Sequence, residues 1–353
     1  MAEQPQVLAN LVQQRNELHA AVQDALPQSL RGITLIARGS SDNVAVHARY
    51  LLELATGMPV SMVAPSLVTR YHRVSDLRDY LVIALSQSGR TPEIVDVATQ
   101  AAGVGAAVVA VTNDVESPLA EAAAATLSVG TGAERAVPAT KTVTGQLALV
   151  TLLAEAVAAS PAIGERTDLT QYTGGDAAWA ALPDTVADVL ADTAPLADAV
   201  GILAERPDGI HLARGLTYAA ALEGALKAKE TSRRVHEGYS SADFLHGPLT
   251  VASPTVSVVA YGADGPVLAD VANTARAAAD LGSPVVGVGH PDVVAGLPDG
   301  AKSAFLPVPQ RLGEALAVVP MVVRGQQLAI DTTLELGLDP DTPEGLNKVT
   351  ATH

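Results

Sequence analysis

The chain has 353 residues, of which 48% are hydrophobic and 17% charged, so it is no disordered polymer and is long enough for two cores of ordinary size. A formal net charge of −16 opposes nucleic acid and anionic membrane surfaces as partners, yet allows a small anion held by backbone N–H groups. There is no cysteine, which excludes disulfides, thiolate nucleophiles and cysteine metal sites together.

The first 29 residues mix polar and apolar positions at helical spacing without a signal-peptide core, which predicts a helix and a cytoplasmic protein. Gly32 to Ala37 reads as a buried strand ended by Arg38-Gly39-Ser40-Ser41, with a helix from about Asp42, a candidate N-cap, to Leu54. Leu81 to Leu85 is a second strand, ended by Ser86-Gln87-Ser88-Gly89, and Pro92 suits the first turn of the next helix. A third strand spans 106–112 and a long helix 138–160, whose apolar run is broken by Glu155 and too short to span a bilayer. Strands alternating with helices predict an α/β fold with a doubly wound parallel sheet.

Residues 166–195 read as a linker and helix, after which the pattern returns. Ile210 to Gly215 repeats the Ala-Arg-Gly strand end of residues 37–39, and apolar runs at 254–260 and 284–288 alternate with helices. This predicts two domains related by duplication, 30–165 and 196–353, with a helix from Glu314 to Leu336 and a polar tail.

In an open parallel sheet, ligands bind beyond the carboxyl ends of the strands. Gly39-Ser40-Ser41 and Ser86-Gln87-Ser88-Gly89-Arg90-Thr91 each stand there ahead of a helix, where glycine admits close approach and hydroxyls meet phosphate oxygens. Neither has the spacing of a nucleotide loop, so a small phosphorylated ligand is expected. The second half carries the ionisable residues: Lys227 and Glu230 on a helix, then His236, Glu237 and His246 ahead of Gly247-Pro248. A Glu and a His so placed can act as general base and acid. Taken singly, Glu230 reads more readily as a solvated helix residue, His246 as a turn residue and Lys348 as part of a solvated polar tail.

Several of these strings, with Glu134-x-x-Val137-x-x-Thr140-Lys141, Ala221-Leu-Glu-Gly-Ala-Leu-Lys-x-Lys-Glu230 and His246-Gly-Pro248, resemble the double SIS (sugar isomerase) domain family. That family includes the isomerase half of glucosamine-6-phosphate synthase and free-standing glucosamine-6-phosphate deaminases. The resemblance implies two flavodoxin-like domains. It implies that Ser41, Ser86, Gln87, Ser88 and Thr91 hold the sugar phosphate, with Gly39 and Ser40 beside them and Val137 offering backbone contacts. It implies that His246 opens the ring from the neighbouring subunit of a homodimer with shared sites. Glu230 would then move a proton between C1 and C2 beside Lys227, and Lys348 would form a Schiff base with the ketose. No cofactor or metal is implied.

The chain also departs from the synthases, which carry a glutaminase with a cysteine nucleophile. Here the first motif begins about 30 residues in, so glutamine hydrolysis by that chemistry is not expected. The tail, ending Lys348-Val-Thr350, resembles the deaminases. Arg90 and Asp243 each stand where the family usually has Glu. The reading is a glucosamine-6-phosphate deaminase. Its alternatives are an enzyme acting on galactosamine 6-phosphate, a sulfosugar or fructosamine 6-phosphate, a synthase half without its glutaminase, or a sugar-phosphate sensor.

Overall fold

The computed structural model describes residues 1–161, 163 and 167–346. Along the first half run α1 (Gln4–Gln13), α2 (Arg15–Ala25), β1 (Gly32–Ile36), α3 (Ser40–Thr56), β2 (Val60–Met62), α4 (Ser66–Thr69), β3 (Tyr80–Ser86), α5 (Pro92–Gly103), β4 (Ala107–Thr112), α6 (Pro118–Glu121), β5 (Ala125–Ser128) and α7 (Lys141–Ala158). The second half holds α8 (Thr170–Thr173), α9 (Gly175–Ala191), α10 (Leu196–Ala204), β6 (Asp208–Ala213), α11 (Tyr218–Ser232), β7 (Val235–Ser240), α12 (Ser241–Leu245), β8 (Val256–Gly262), α13 (Leu268–Asp280), β9 (Val285–Gly289), α14 (Asp292–Ala295), β10 (Ser303–Pro307) and α15 (Glu314–Glu335).

Two five-stranded parallel sheets result, ordered β2-β1-β3-β4-β5 and β7-β6-β8-β9-β10. The second order is the first with five added to each number, so the expected duplicated α/β architecture is present. The central strands are apolar on both faces, as a parallel sheet covered by helices requires: β1, β8 and β9 are buried at every position. α7 is 18 residues long and apolar enough to cross a membrane, but 94% of it is buried within the protein, where it packs on α2 and α3 as a core helix.

The described residues divide into two compact units. One comprises 6–134 and 141–171, and the other 1–5, 135–140 and 172–346. Segment 135–140 therefore groups with the second sheet, and α7 starts at Lys141 rather than at the expected Pro138. α3 also differs from expectation. Its N-cap is Gly39, at φ 59°, and Asp42 lies inside the first turn. The left-handed glycine turns the chain straight from β1 into the helix, before Asp42 is reached.

The repeat extends to side chains. Arg38, just after β1, binds Glu93 in the first turn of α5 at 3.0 Å. Arg214, just after β6, binds Asp270 in the first turn of α13 at 3.0 Å. Gly215 repeats the positive φ of Gly39, at 60° against 59°. In the second unit α15 is anchored by Arg324, which is buried and donates to the carbonyls of Pro307, Val189 and Asp192 and to the Asp192 carboxylate.

The helix that follows the fifth strand opens with Lys141 in the first half and Glu314 in the second. Burial raises the Glu314 carboxyl to about 7, helped by the negative charge of Asp264. Between pH 4.5 and 7 the folded chain therefore holds a proton that the unfolded chain has released, so stability is lost as pH rises through that window. Glu314→Gln is expected to melt above the unsubstituted protein at pH 8 and level with it near pH 4. A thermal melting series with no pH-dependent gain would refute this.

Candidate functional site

The loops after β1 and β3 lie at neighbouring strand ends where the connections diverge, β1 leading by α3 to one side of the sheet and β3 by α5 to the other. This is where open α/β sheets hold ligands. Gly89 has φ 63°, and a Cβ there would stand 2.0 Å from Ser117 Oγ, so both conformation and space demand glycine. The loop around it is tied internally: Gly89 N–H donates to Ser86 Oγ and Arg90 N–H to Ser88 Oγ, each at 3.2 Å. The backbone amides of Ser88 and Thr91 have no acceptor among the described residues. They precede α5, which opens with Pro92 and whose Ile94 and Val95 N–H groups donate to Thr91 O, so the two loop amides at a helix start offer an arrangement suited to an anion.

The expected ligand residues of the first unit fall around this point. Ser86 and Ser41 are buried, while Gln87, Ser88, Thr91 and Ser40 are half-buried and Gly39 is exposed. Ser41 Oγ donates to Gln146 on α7 at 3.0 Å, which fixes it against the core helix. The Arg90 guanidinium is committed to Asp114 at 2.8 Å and holds that carboxyl below the usual carboxylate range. Asn113, which the sequence reading passed over, organises the loop: its N–H donates to Gln87 O, its side chain donates to Gly132 O, and its Oδ1 accepts from Thr131 N–H. Glu134 accepts from Thr142 N–H at 2.9 Å and so caps α7.

In the second unit, α11 carries Glu223, Lys227 and Glu230 on one face, at spacings of four and three. Lys227 Nζ lies 2.5 Å from Glu230 and 3.4 Å from Glu223. Its side chain is only 3% exposed, whereas Glu230 retains 23%. Burial alone would pull the ammonium pKa down, but the two carboxylates outweigh it and the net direction is upward. Lys227 is therefore a fixed cation that orients Glu230, not a neutral amine. Glu223 was not among the expected site residues, although its i, i+4 spacing to Lys227 is visible in the sequence.

Segment 135–140 borders the same face. Thr140 O accepts from Gln326 of α15, and Val137 N–H donates to Asp341 O of the tail at 3.2 Å. Of the Val137 backbone groups expected to meet a sugar, the N–H is thus bonded to the tail. Thr140, Lys227, Thr231, Gln326 and Asp341 line a cavity of about 30 Å³, which suits a water-sized group. The tail also reaches the end of α11, where Glu344 pairs with Arg233 at 2.7 Å. Lys348 lies outside the described residues. His246 follows α12 in an exposed turn ahead of Gly247, at φ 131°, and makes no hydrogen bond to Glu230 or Lys227. His236 is a strand residue buried on β7 rather than a partner of Glu230.

The SIS domain family matches residues 29–156. Among curated relatives, a glutamine–fructose-6-phosphate aminotransferase (isomerizing) of Symbiobacterium thermophilum is 31% identical over 324 residues, covering 91% of this chain and 52% of that protein. The chain spans about half the length of the curated relatives it matches. Among solved structures, a protein of Silicibacter pomeroyi DSS-3 assigned as a phosphosugar isomerase is 30% identical, with 96% of this chain and 98% of that one covered and a TM-score of 0.80. The C-terminal domain of glucosamine-fructose-6-phosphate aminotransferase from Francisella tularensis superimposes with a TM-score of 0.83 at 21% identity over 97% and 96% of the two chains, which speaks to the fold.

Gly89→Ala is expected to displace the β3–α5 loop and weaken binding of a small phosphate ester at least about ten-fold, roughly 1.4 kcal/mol. Isothermal titration against fructose 6-phosphate checks this, and unaltered affinity would detach the loop from phosphate binding.

Proposed function

This chain belongs to the SIS domain family, and on that premise we propose that it is an amino-sugar-phosphate isomerase that deaminates glucosamine 6-phosphate to fructose 6-phosphate. The observation that carries the reading is the Glu223–Lys227–Glu230 face of α11, a half-buried carboxylate held by a buried ammonium. Phosphate is the role assigned to Ser41, Ser86, Gln87, Ser88 and Thr91. Once the ring is open, Glu230 removes the proton from C2, the C–H electron pair forms the C1–C2 double bond, and O1 takes up a proton from solvent to give an enol bearing the amine. Returning that proton to C1 leaves a C2 imine, and water adds there to release ammonia and the ketose. A carboxylate fixed by Lys227 can serve both carbons without moving far, because C1 and C2 are adjacent.

His246 is assigned to ring opening. Its exposed turn is flanked by Leu245 and Val251, 49% and 46% exposed, which favours a second copy of this chain covering it in a cytoplasmic homodimer. Lys348 keeps its assignment as the amine that meets the ketose. A second reading has one observation in its favour: the curated relatives are aminotransferases that match over about half their length. On that reading the same proton transfer runs from fructose 6-phosphate with ammonia supplied from elsewhere.

Purified protein is expected to release ammonia and fructose 6-phosphate in equal amounts from glucosamine 6-phosphate, and Glu230→Gln to lower kcat by about 10²–10⁴-fold. Net consumption of ammonia and fructose 6-phosphate instead would favour the second reading. Unimpaired turnover by Glu230→Gln would remove the base.

A further inference from the structure

Beneath α11, the second sheet carries a polar row that the isomerisation chemistry does not use directly. Tyr261 on β8, His211 on β6 and His236 on β7 stand on three adjacent strands and are 0%, 2% and 1% exposed. Tyr261 Oη lies 3.1 Å from His211 Nδ1, and His211 Nε2 lies 3.1 Å from His236 Nδ1. Such groups are costly to bury unless bonded, and here each is bonded to the next.

The row sits against the helix that bears the catalytic face. A Cβ on Gly224 would stand 2.2 Å from the Tyr261 hydroxyl and 2.8 Å from His211 Nδ1, and one on Gly325 of α15 would stand 3.1 Å from the same hydroxyl. Both helices therefore rest on the row through glycines, and Gly224 directly follows Glu223. Thr333 of α15 also donates to Thr231 of α11 at 2.7 Å, which joins the two helices one turn beyond Lys227.

The charges around the row are few. From α11 come Glu223 and Lys229, and ahead of β7 comes Arg234. The neighbouring α15 residue, Arg324, is committed to Asp192. Burial first, then the neighbouring His236 imidazole and Lys229, push His211 well below its usual value, and burial, then Arg234 and Lys229, bring His236 to about 4, so both imidazoles are neutral at pH 7. The Tyr261 phenol keeps its proton, through burial first and then the negative charge of Glu223. With each bond holding one proton, the row has two arrangements, running towards Tyr261 or away from it. A negative charge at the Tyr261 end favours the first: His236 Nδ1–H donates to His211 Nε2, His211 Nδ1–H donates to Tyr261, and the phenol dipole faces Glu223.

We propose that Tyr261, His211 and His236 are positioning residues, a hydrogen-bonded row polarised in one direction that seats α11 and with it the Glu223–Lys227–Glu230 face. Its kinetic consequence rests on the deaminase reading, whereas its protonation pattern does not. The test has two arms. The first is ¹⁵N NMR of histidine-labelled protein, with signals assigned by single replacements. The expected result is that His211 and His236 are both neutral at pH 7 with the proton on Nδ1, and that Glu223→Gln or Tyr261→Phe releases His211 to the Nε2–H form. Imidazolium at either position, or Nε2–H forms in the unsubstituted protein, overturns the proposal whatever the activity.

The second arm is the kinetics of Tyr261→Phe, which keeps the ring and removes the hydroxyl. The expected result is a fall in kcat of about ten-fold with KM unchanged. A change in KM alone, or an unchanged kcat, overturns the positioning role. If the unsubstituted protein turns over no amino-sugar phosphate, the deaminase reading fails and the NMR arm still decides the row.

Discussion

An ammonium group shut away from water has to be neutralised close by, and the second half of this protein is arranged around one. Lys227, 3% exposed, lies between the carboxylates of Glu223 and Glu230 on its own helix. Desolvation of a lone buried charge costs several kcal/mol, and only short contacts in a low-dielectric setting offset it. The spacing of four and three residues supplies those contacts locally, provided α11 is helical through its whole length. One carboxylate of the pair stays partly exposed while its partner cation does not, so the unit presents Glu230 outward and keeps its orientation from within.

That arrangement demands close packing behind it. α11 and α15 meet where Gly224 and Gly325 remove side chains from the crossing, and the sheet answers with polar groups instead of aliphatic ones. A more usual core would place valines there, as β8 does at Val258 and Val259. The Tyr261–His211–His236 row is tolerated because each member bonds to its neighbour and none needs to carry charge.

Duplication supplied two similar backbones, and side chains then gave them different work. Each half has a left-handed glycine after its first strand and an arginine bound to the acidic first turn of the next long helix. The first half lines its strand ends with Ser40, Ser41, Ser86 and Ser88, and opens its last helix with Lys141. The second has Leu216, Asp264 and Glu314 in the corresponding stretches, an aliphatic group and two carboxyls in place of the hydroxyls and the lysine. The chemistry of the second half has moved to α11 instead.

Much of this was legible in the amino-acid order. Alternating apolar strands and helices, the hydroxyl-rich loops after β1 and β3, and the lysine and glutamate of α11 are all local patterns, and periodicity reports local geometry faithfully. The short edge strands β2, β5 and β10 were missed because three to five residues carry little periodic signal. Other features depend on residues far apart in sequence. Examples are Arg38 choosing Glu93, segment 135–140 grouping with the second sheet, His236 entering a strand, and Gly89 being required by Ser117. Spacing along the chain sets which side chains share a face. Which distant face they meet is decided by how helices and sheets close on one another, and only the folded protein holds that information.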